Sequence, residues 1–119
     1  MLRSMLKSKI HRAVITETDL YYVGSITIDR ELMDASGLVE FEEVSVFDIN
    51  NGNRFETYVI EGERGSGIIG INGAAARLVH KNDEIIIVSY ALLDNDELKT
   101  HKPDIIIVEN NNKSYKIER

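Results

Sequence analysis

Seven short stretches rich in Ile, Val, Tyr and Phe, separated by turn residues, recur along the chain, and that spacing limits the fold to a small β-barrel or sandwich. They cover residues 10–16, 20–28, 44–49, 54–60, 84–91, 105–109 and 114–117. The clearest hairpin joins 44–49 to 54–60 through Asn50-Asn51-Gly52-Asn53, where Asn-Gly supplies the positive φ of a tight turn. Two helices interrupt the pattern. Residues 29–36 carry Asp29 as an acidic N-cap and stop at Gly37. Residues 74–80 follow Asn72 as a cap and stop at Asn82. The lone Pro103 suits the first position of the apolar 104–108 strand. No internal repeat or linker divides the sequence, so one mainly β domain over 1–119 is expected.

Length and charge narrow the function. With 119 residues the chain supports a single hydrophobic core. Cysteine is absent, which excludes disulfides and thiolate metal sites and permits a reducing cytoplasm. The first residues are basic but carry no apolar run of signal-peptide length, and no stretch reaches the ~20 apolar residues of a membrane span. A cytoplasmic protein without membrane contact is expected. Fourteen basic and 20 acidic residues give a net charge of −6, which disfavours nucleic acid as a partner. Arg3, Lys7, Lys9 and Arg12 crowd the N-terminus; composition alone makes them a solvated basic face.

The usual catalytic signatures are weak. His11, His80 and His101 are scattered, with no second ligand at metal spacing and no triad pattern, so no metal is expected. His80 and His101 read as surface residues, and His11 as a structural residue in a strand. Gly65-Ser66-Gly67-Ile68-Ile69-Gly70 matches GxGxxG, but Gly70-Ile71-Asn72-Gly73 leaves no room for the helix a dinucleotide requires. These glycines read as a turn and a close backbone approach. Glu42-Glu43 and Asp94 with Asp96 read as solvated carboxylates. In Tyr22-Val23-Gly24-Ser25-Ile26, Gly24 alone suggests a bend or bulge in a strand.

Four segments in order change the reading of that last motif. The opening Met-Leu-Arg-Ser-Met-Leu-Lys-Ser-Lys-Ile-His-Arg-Ala-Val, then Tyr22 to Asp29, Asn51 to Tyr58 and Ile71 to Val79, together resemble the pyruvoyl-dependent aspartate α-decarboxylases. The resemblance weakens after about His101. It implies a double-psi β-barrel assembled as a homotetramer, with active sites between neighbouring subunits. It also implies a precursor that cuts itself between Gly24 and Ser25 into chains 1–24 and 25–119. Ser25 would attack the Gly24 carbonyl in an N-to-O acyl shift, and elimination would leave a pyruvoyl group at position 25 as the covalent cofactor. Neither a metal nor pyridoxal phosphate is implied. Thr57 would stabilise the oxyanion of this rearrangement.

The same resemblance assigns the later chemistry. The substrate amine of L-aspartate would form a Schiff base with the pyruvoyl group, which serves as the electron sink for loss of carbon dioxide. Tyr58 would return the proton. Lys9 and Arg54 would anchor the carboxylates, the arginine bidentately. Substrate binding also extends to Thr57 and to the backbone of Gly73, Ala74 and Ala75. His11, Tyr22 and Asn72 would line the pocket, and Ala76 would pack. The product, β-alanine, feeds pantothenate and coenzyme A. The resemblance also leaves room for a maturation factor as a helper of the cleavage.

Overall fold

The computed structural model describes Met1 to Glu118 and is mainly β. The strands are β1 (Arg3–Val14), β2 (Glu17–Asp19), β3 (Ser25–Asp29), β4 (Glu43–Asp48), β5 (Arg54–Gly62), β6 (Ile69–Asn72), β7 (Glu84–Leu93), β8 (Asp104–Glu109) and β9 (Ser114–Glu118). They hydrogen-bond in the order β2-β6-β3-β5-β4-β7-β1-β8-β9. Pairs β1–β8, β2–β6 and β3–β5 are parallel and the others antiparallel.

Alternation along the strands creates the core. Ile10, Ile87, Val46 and Phe55 are successive cross-strand partners on β1, β7, β4 and β5, and all four are buried. Their neighbours along each strand face the other way. Each buried Ile or Phe of this row contributes about 1.5–3 kcal/mol relative to exposure. Val59, Ile26 and Ile71 extend the buried row across β5, β3 and β6.

Helix α1 (Arg30–Ser36) forms where the sequence places it. The Asp29 carboxylate accepts from the Glu31 amide at 2.9 Å, and Gly37 closes the helix at φ 75°. The second expected helix differs. Residues Gly73–Leu78 form a short 3₁₀ turn, and Asn72 stays extended with no capping bond from its side chain. Its amide is used elsewhere.

Three further features depart from the sequence reading. Residues 20–28 are not one strand: β2 ends at Asp19, a turn follows, and β3 starts at Ser25. Strand β6 occupies the end of the glycine-rich segment, where a Cβ on Gly70 would sit 3.2 Å from Glu17 Cγ, tight enough that the Glu17 side chain would have to give way. Helix α2 (Asn95–Leu98) is held by an Asp94–Glu97 capping box, so Asp94 is a cap rather than merely solvated.

Candidate active site

The Gly24–Ser25 bond lies where an exposed turn enters a buried strand. Tyr21 is 94% exposed and Val23 70%, whereas Ser25 is 1% exposed. Antiparallel pairing sets Ser25 opposite Asn72. The Ser25 hydroxyl donates to the Val23 carbonyl at 3.1 Å and accepts from Asn72 Nδ2 at 3.0 Å. The same Nδ2 donates to Thr27 Oγ1 at 3.1 Å. The Ser25 oxygen is thus held next to the 22–24 turn, by a residue 47 positions away in sequence.

The strained glycine of the site is Gly73, not Gly24. A Cβ on Gly24 would meet nothing within 4 Å, and Gly24 is not among the positive-φ residues. Gly73 has φ 78°, and a Cβ there would sit 2.6 Å from Gly24 Cα and 3.2 Å from the Tyr22 carbonyl oxygen. The bare Gly73 backbone therefore forms the seat on which the 22–24 turn rests.

Strand β5 runs parallel to β3, with Ile26 beside Val59. Extending that register backward sets Ser25 level with Tyr58 and Gly24 level with Thr57. Along β5, Phe55 and Val59 face the core, so Thr57 shares their side while Arg54 and Tyr58 point to the opposite face. The Tyr58 ring lies 6.3 Å from that of Phe41, a residue held at φ 73° and 70% exposed. The Arg54 guanidinium stacks 4.2 Å from the Phe47 ring centroid, which orients it by a cation–π contact.

Lys9 and His11 belong to a second group, on β1. Register shifts between Leu6 and Ser8 and between His11 and Ala13 flank them, and Arg12 within the second has φ 68°. Such bulges re-aim side chains. Pairing sets His11, Ile86, Phe47 and Arg54 in one row across β1, β7, β4 and β5. Lys9 lies in the adjacent row with Val88, Ser45 and Glu56. Burial, with help from Lys9 and Arg12, lowers the pKa of His11 against the pull of Glu84. The buried Nδ1 of His11 has no hydrogen-bond partner among the described residues.

A cleft of about 400 Å³ opens beside Asn72, lined by Glu17, Thr18, Asp19, Tyr22, Thr27, Ile60 and Glu61. Its three carboxylates make it a poor receptor for a dicarboxylate by itself. Ala74 is exposed, while Ala75 packs on the core. His80 is exposed as expected, but His101 is half-buried with Nε2 2.7 Å from the Leu6 carbonyl oxygen. Among the described residues, no group of His, Asp or Glu is arranged to hold a metal. None of their helices is long and apolar enough to cross a membrane.

Sequence reasoning missed two parts of this region. Thr27 sits two residues after Ser25 on the same strand face, a spacing that alternation could have flagged. The buried Asp48 carboxyl is within hydrogen-bonding reach of Asp83 at the base of the 48–53 hairpin. Burial first, and then Asp83, raises Asp48 to about 6. That hairpin is tied to the 3₁₀ turn, since Asn51 and Asn53 both donate to the Leu78 carbonyl, at 3.0 and 2.8 Å.

Comparison with known proteins identifies the family. The family described as "Aspartate decarboxylase" matches residues 1–115. The chain is 62% identical over 117 residues to the Aspartate 1-decarboxylase of Caldicellulosiruptor saccharolyticus, covering 98% of this chain and 91% of that one. It is 58% identical over 118 residues to the protein of the same name from Acetivibrio thermocellus, covering 99% and 94%. The Aspartate 1-decarboxylase of Syntrophomonas wolfei subsp. wolfei is 59% identical over 112 residues, covering 94% and 95%.

Proposed function

The chain belongs to the aspartate decarboxylase family, and from that premise we infer that it removes the 1-carboxylate of L-aspartate, giving β-alanine and carbon dioxide for pantothenate synthesis. The observation that carries this reading is the high identity to proteins named for that reaction over nearly the whole chain. It is a carboxy-lyase.

The chain as encoded is read as a precursor of 1–24 and 25–119. The Ser25 hydroxyl must release Val23 O and turn toward the Gly24 carbon, a movement that the exposed turn at 21–24 can accommodate. Attack forms an ester and frees the Ser25 nitrogen. Loss of the Ser25 Cα proton then breaks the Cβ–Oγ bond, and water replaces the nitrogen as ammonia. The residues at position 25 fit a covalent pyruvoyl group: a buried serine oxygen with an amide donor, next to an accessible glycine. When present, that group supplies the electron sink for decarboxylation.

The chain's own residues do the rest. Thr57, level with Gly24 by register, offers a hydroxyl to the oxyanion of the rearrangement. Tyr58, level with Ser25, returns a proton to the carbon that lost carbon dioxide. Arg54, oriented by Phe47, and Lys9 hold carboxylates. The Gly73, Ala74 and Ala75 backbone, with Tyr22, Asn72 and His11, complete the pocket.

The site is read as shared between copies in a homotetramer. Ser25 lies two to three strands and four residues from the Phe47–Ile86 patch that Lys9, His11 and Arg54 border, roughly 17 Å along the sheet by strand spacing and rise. One aspartate cannot bridge that span, whereas the patch of a second copy can face Ser25. The acidic cleft beside Asn72 supports the same view, because cations must come from another surface. Three parallel pairs in a mixed sheet support the double-psi barrel reading. A cytoplasmic location, with or without a maturation factor, fits a cysteine-free chain.

The test is purified protein incubated with L-aspartate, with β-alanine measured by chromatography alongside Ser25→Ala. The wild type forms β-alanine and the variant forms none. Absence of β-alanine from fully cut wild-type protein would overturn the reading.

A further inference from the structure

Thr27 shares the Asn72 amide with Ser25. The proton count at this cluster fixes which way that amide points. Val23 offers Ser25 a carbonyl oxygen, which can only accept, so the single hydroxyl proton of Ser25 is committed to it at 3.1 Å. Asn72 must then present its NH₂ group, not its oxygen, to Ser25 Oγ at 3.0 Å. The second hydrogen of that NH₂ needs an acceptor in a place where Asn72 is 6% exposed, and Thr27 Oγ1 supplies it at 3.1 Å. Without the Thr27 oxygen, that N–H loses its protein acceptor at the edge of the acidic cleft, and the amide is less firmly held in this orientation.

We propose that Thr27 is a positioning residue that locks the Asn72 amide as a donor toward position 25, and thereby speeds the elimination step of self-cleavage. The proposal rests on the reading of Ser25 as the cleavage nucleophile. In the ester, Ser25 Oγ links the Gly24 carbonyl carbon to the Ser25 Cβ. Elimination transfers the Cα proton to water, and the Cβ–Oγ electron pair moves onto Oγ. That oxygen becomes part of the new Gly24 carboxylate. Negative charge therefore grows on the atom that Asn72 Nδ2 faces, and a fixed donor there favours bond breaking. The rotated amide would face it with an oxygen and oppose the same step. Acyl transfer, which precedes this charge, depends less on the lock.

The experiment follows purified, uncut precursor by intact mass, with hydroxylamine added to samples to trap ester as a Gly24 hydroxamate. Thr27→Val keeps the shape and removes the oxygen; Thr27→Ser restores the oxygen without the methyl. The expected result is at least tenfold slower ammonia release in T27V, with accumulation of hydroxylamine-sensitive ester, and recovery to within threefold of wild type in T27S. T27V cutting at the wild-type rate overturns the proposal. So does slow cutting without ester, which would place the effect at attack, and so does T27S behaving like T27V, which would make the methyl packing responsible. Thermal unfolding monitors the fold, and if T27V fails to fold, T27A serves in its place under the same criteria. Ser25→Ala, run in parallel, tests the underlying reading separately: a cut at 24–25 in that variant would sink the assignment of Ser25 itself.

Discussion

The β1–β7 pair and the 20–25 junction are built on opposite terms. Strands β1 and β7 pair from Arg3–Leu93 to Val14–Glu84, and their inward residues Ile10, Ile85 and Ile87 are wholly buried. The junction carries Tyr21, Tyr22 and Val23 out in solvent and rests on one glycine backbone, with Ser25 as its only fully buried residue. Stability is concentrated in the first region and freedom to rearrange in the second. Under the proposed self-cleavage, a chain that breaks its 24–25 bond and keeps its fold would gain from that division, because that bond supports little of the core.

The contrast is broken most severely from the framework side. Ile87→Ala empties a wholly buried position in the central row and should cost about 3–4 kcal/mol, read as a large drop in denaturant midpoint. Cleavage under native conditions should proceed in whatever fraction stays folded. A smaller effect is expected at the seat of the junction. Gly73→Ala meets both a left-handed φ and the Gly24 Cα at 2.6 Å, so it should cost about 1–2 kcal/mol. Intact mass against time should show its cleavage slowed more than its stability loss alone would explain, since the 22–24 turn is displaced. Equal loss of stability with unaltered cleavage would separate the seat from the chemistry.

The smallest effect lies at the hairpin base between the two regions. Asp48 is raised to about 6 by burial and by Asp83, whereas an unfolded carboxyl titrates near 4. Protonated Asp48 can donate to Asp83, whose own pKa is lowered by that bond, and the two titrate as one unit. Because the folded pKa of Asp48 lies above the unfolded one, its favourable contribution is present below pH 4 and is lost as pH rises through 6. Asp48→Asn keeps an acceptor for the Asn50 amide and gives Asp83 a permanent donor. The variant should match wild type at pH 4.5 and be more stable by about 1 kcal/mol at pH 7.5, measured by thermal unfolding at both pH values. A gain of equal size at pH 4.5 would mean the pair does not share a proton.

The framework was legible because alternation is a local signal. The 44–49 and 54–60 runs, the Asp29 cap and the Gly37 stop all depend on residues within one or two turns of each other. Strand β6 was hidden by glycines that read as turns, and the polar start of β1 by residues whose partners are the distant β7. The candidate site was proposed from the sequence only through a resemblance. Read alone, Gly24 is a bend, and the Asn72 that holds Ser25 looks like a helix cap. What joins them is the β3–β6 pairing across 47 residues, which no short-range pattern encodes. The Asp48–Asp83 contact escaped for the same reason, since it closes between β4 and the entry to β7.

The most direct test of the account is the denatured intact mass of the purified wild-type protein and of Ser25→Ala. Two fragments, 1–24 and 25–119, are expected from the wild type, the larger one beginning with a keto group that borohydride reduces. One uncut chain is expected from the variant. A wild-type chain that stays whole after prolonged warming yet still makes β-alanine from L-aspartate would contradict that expectation.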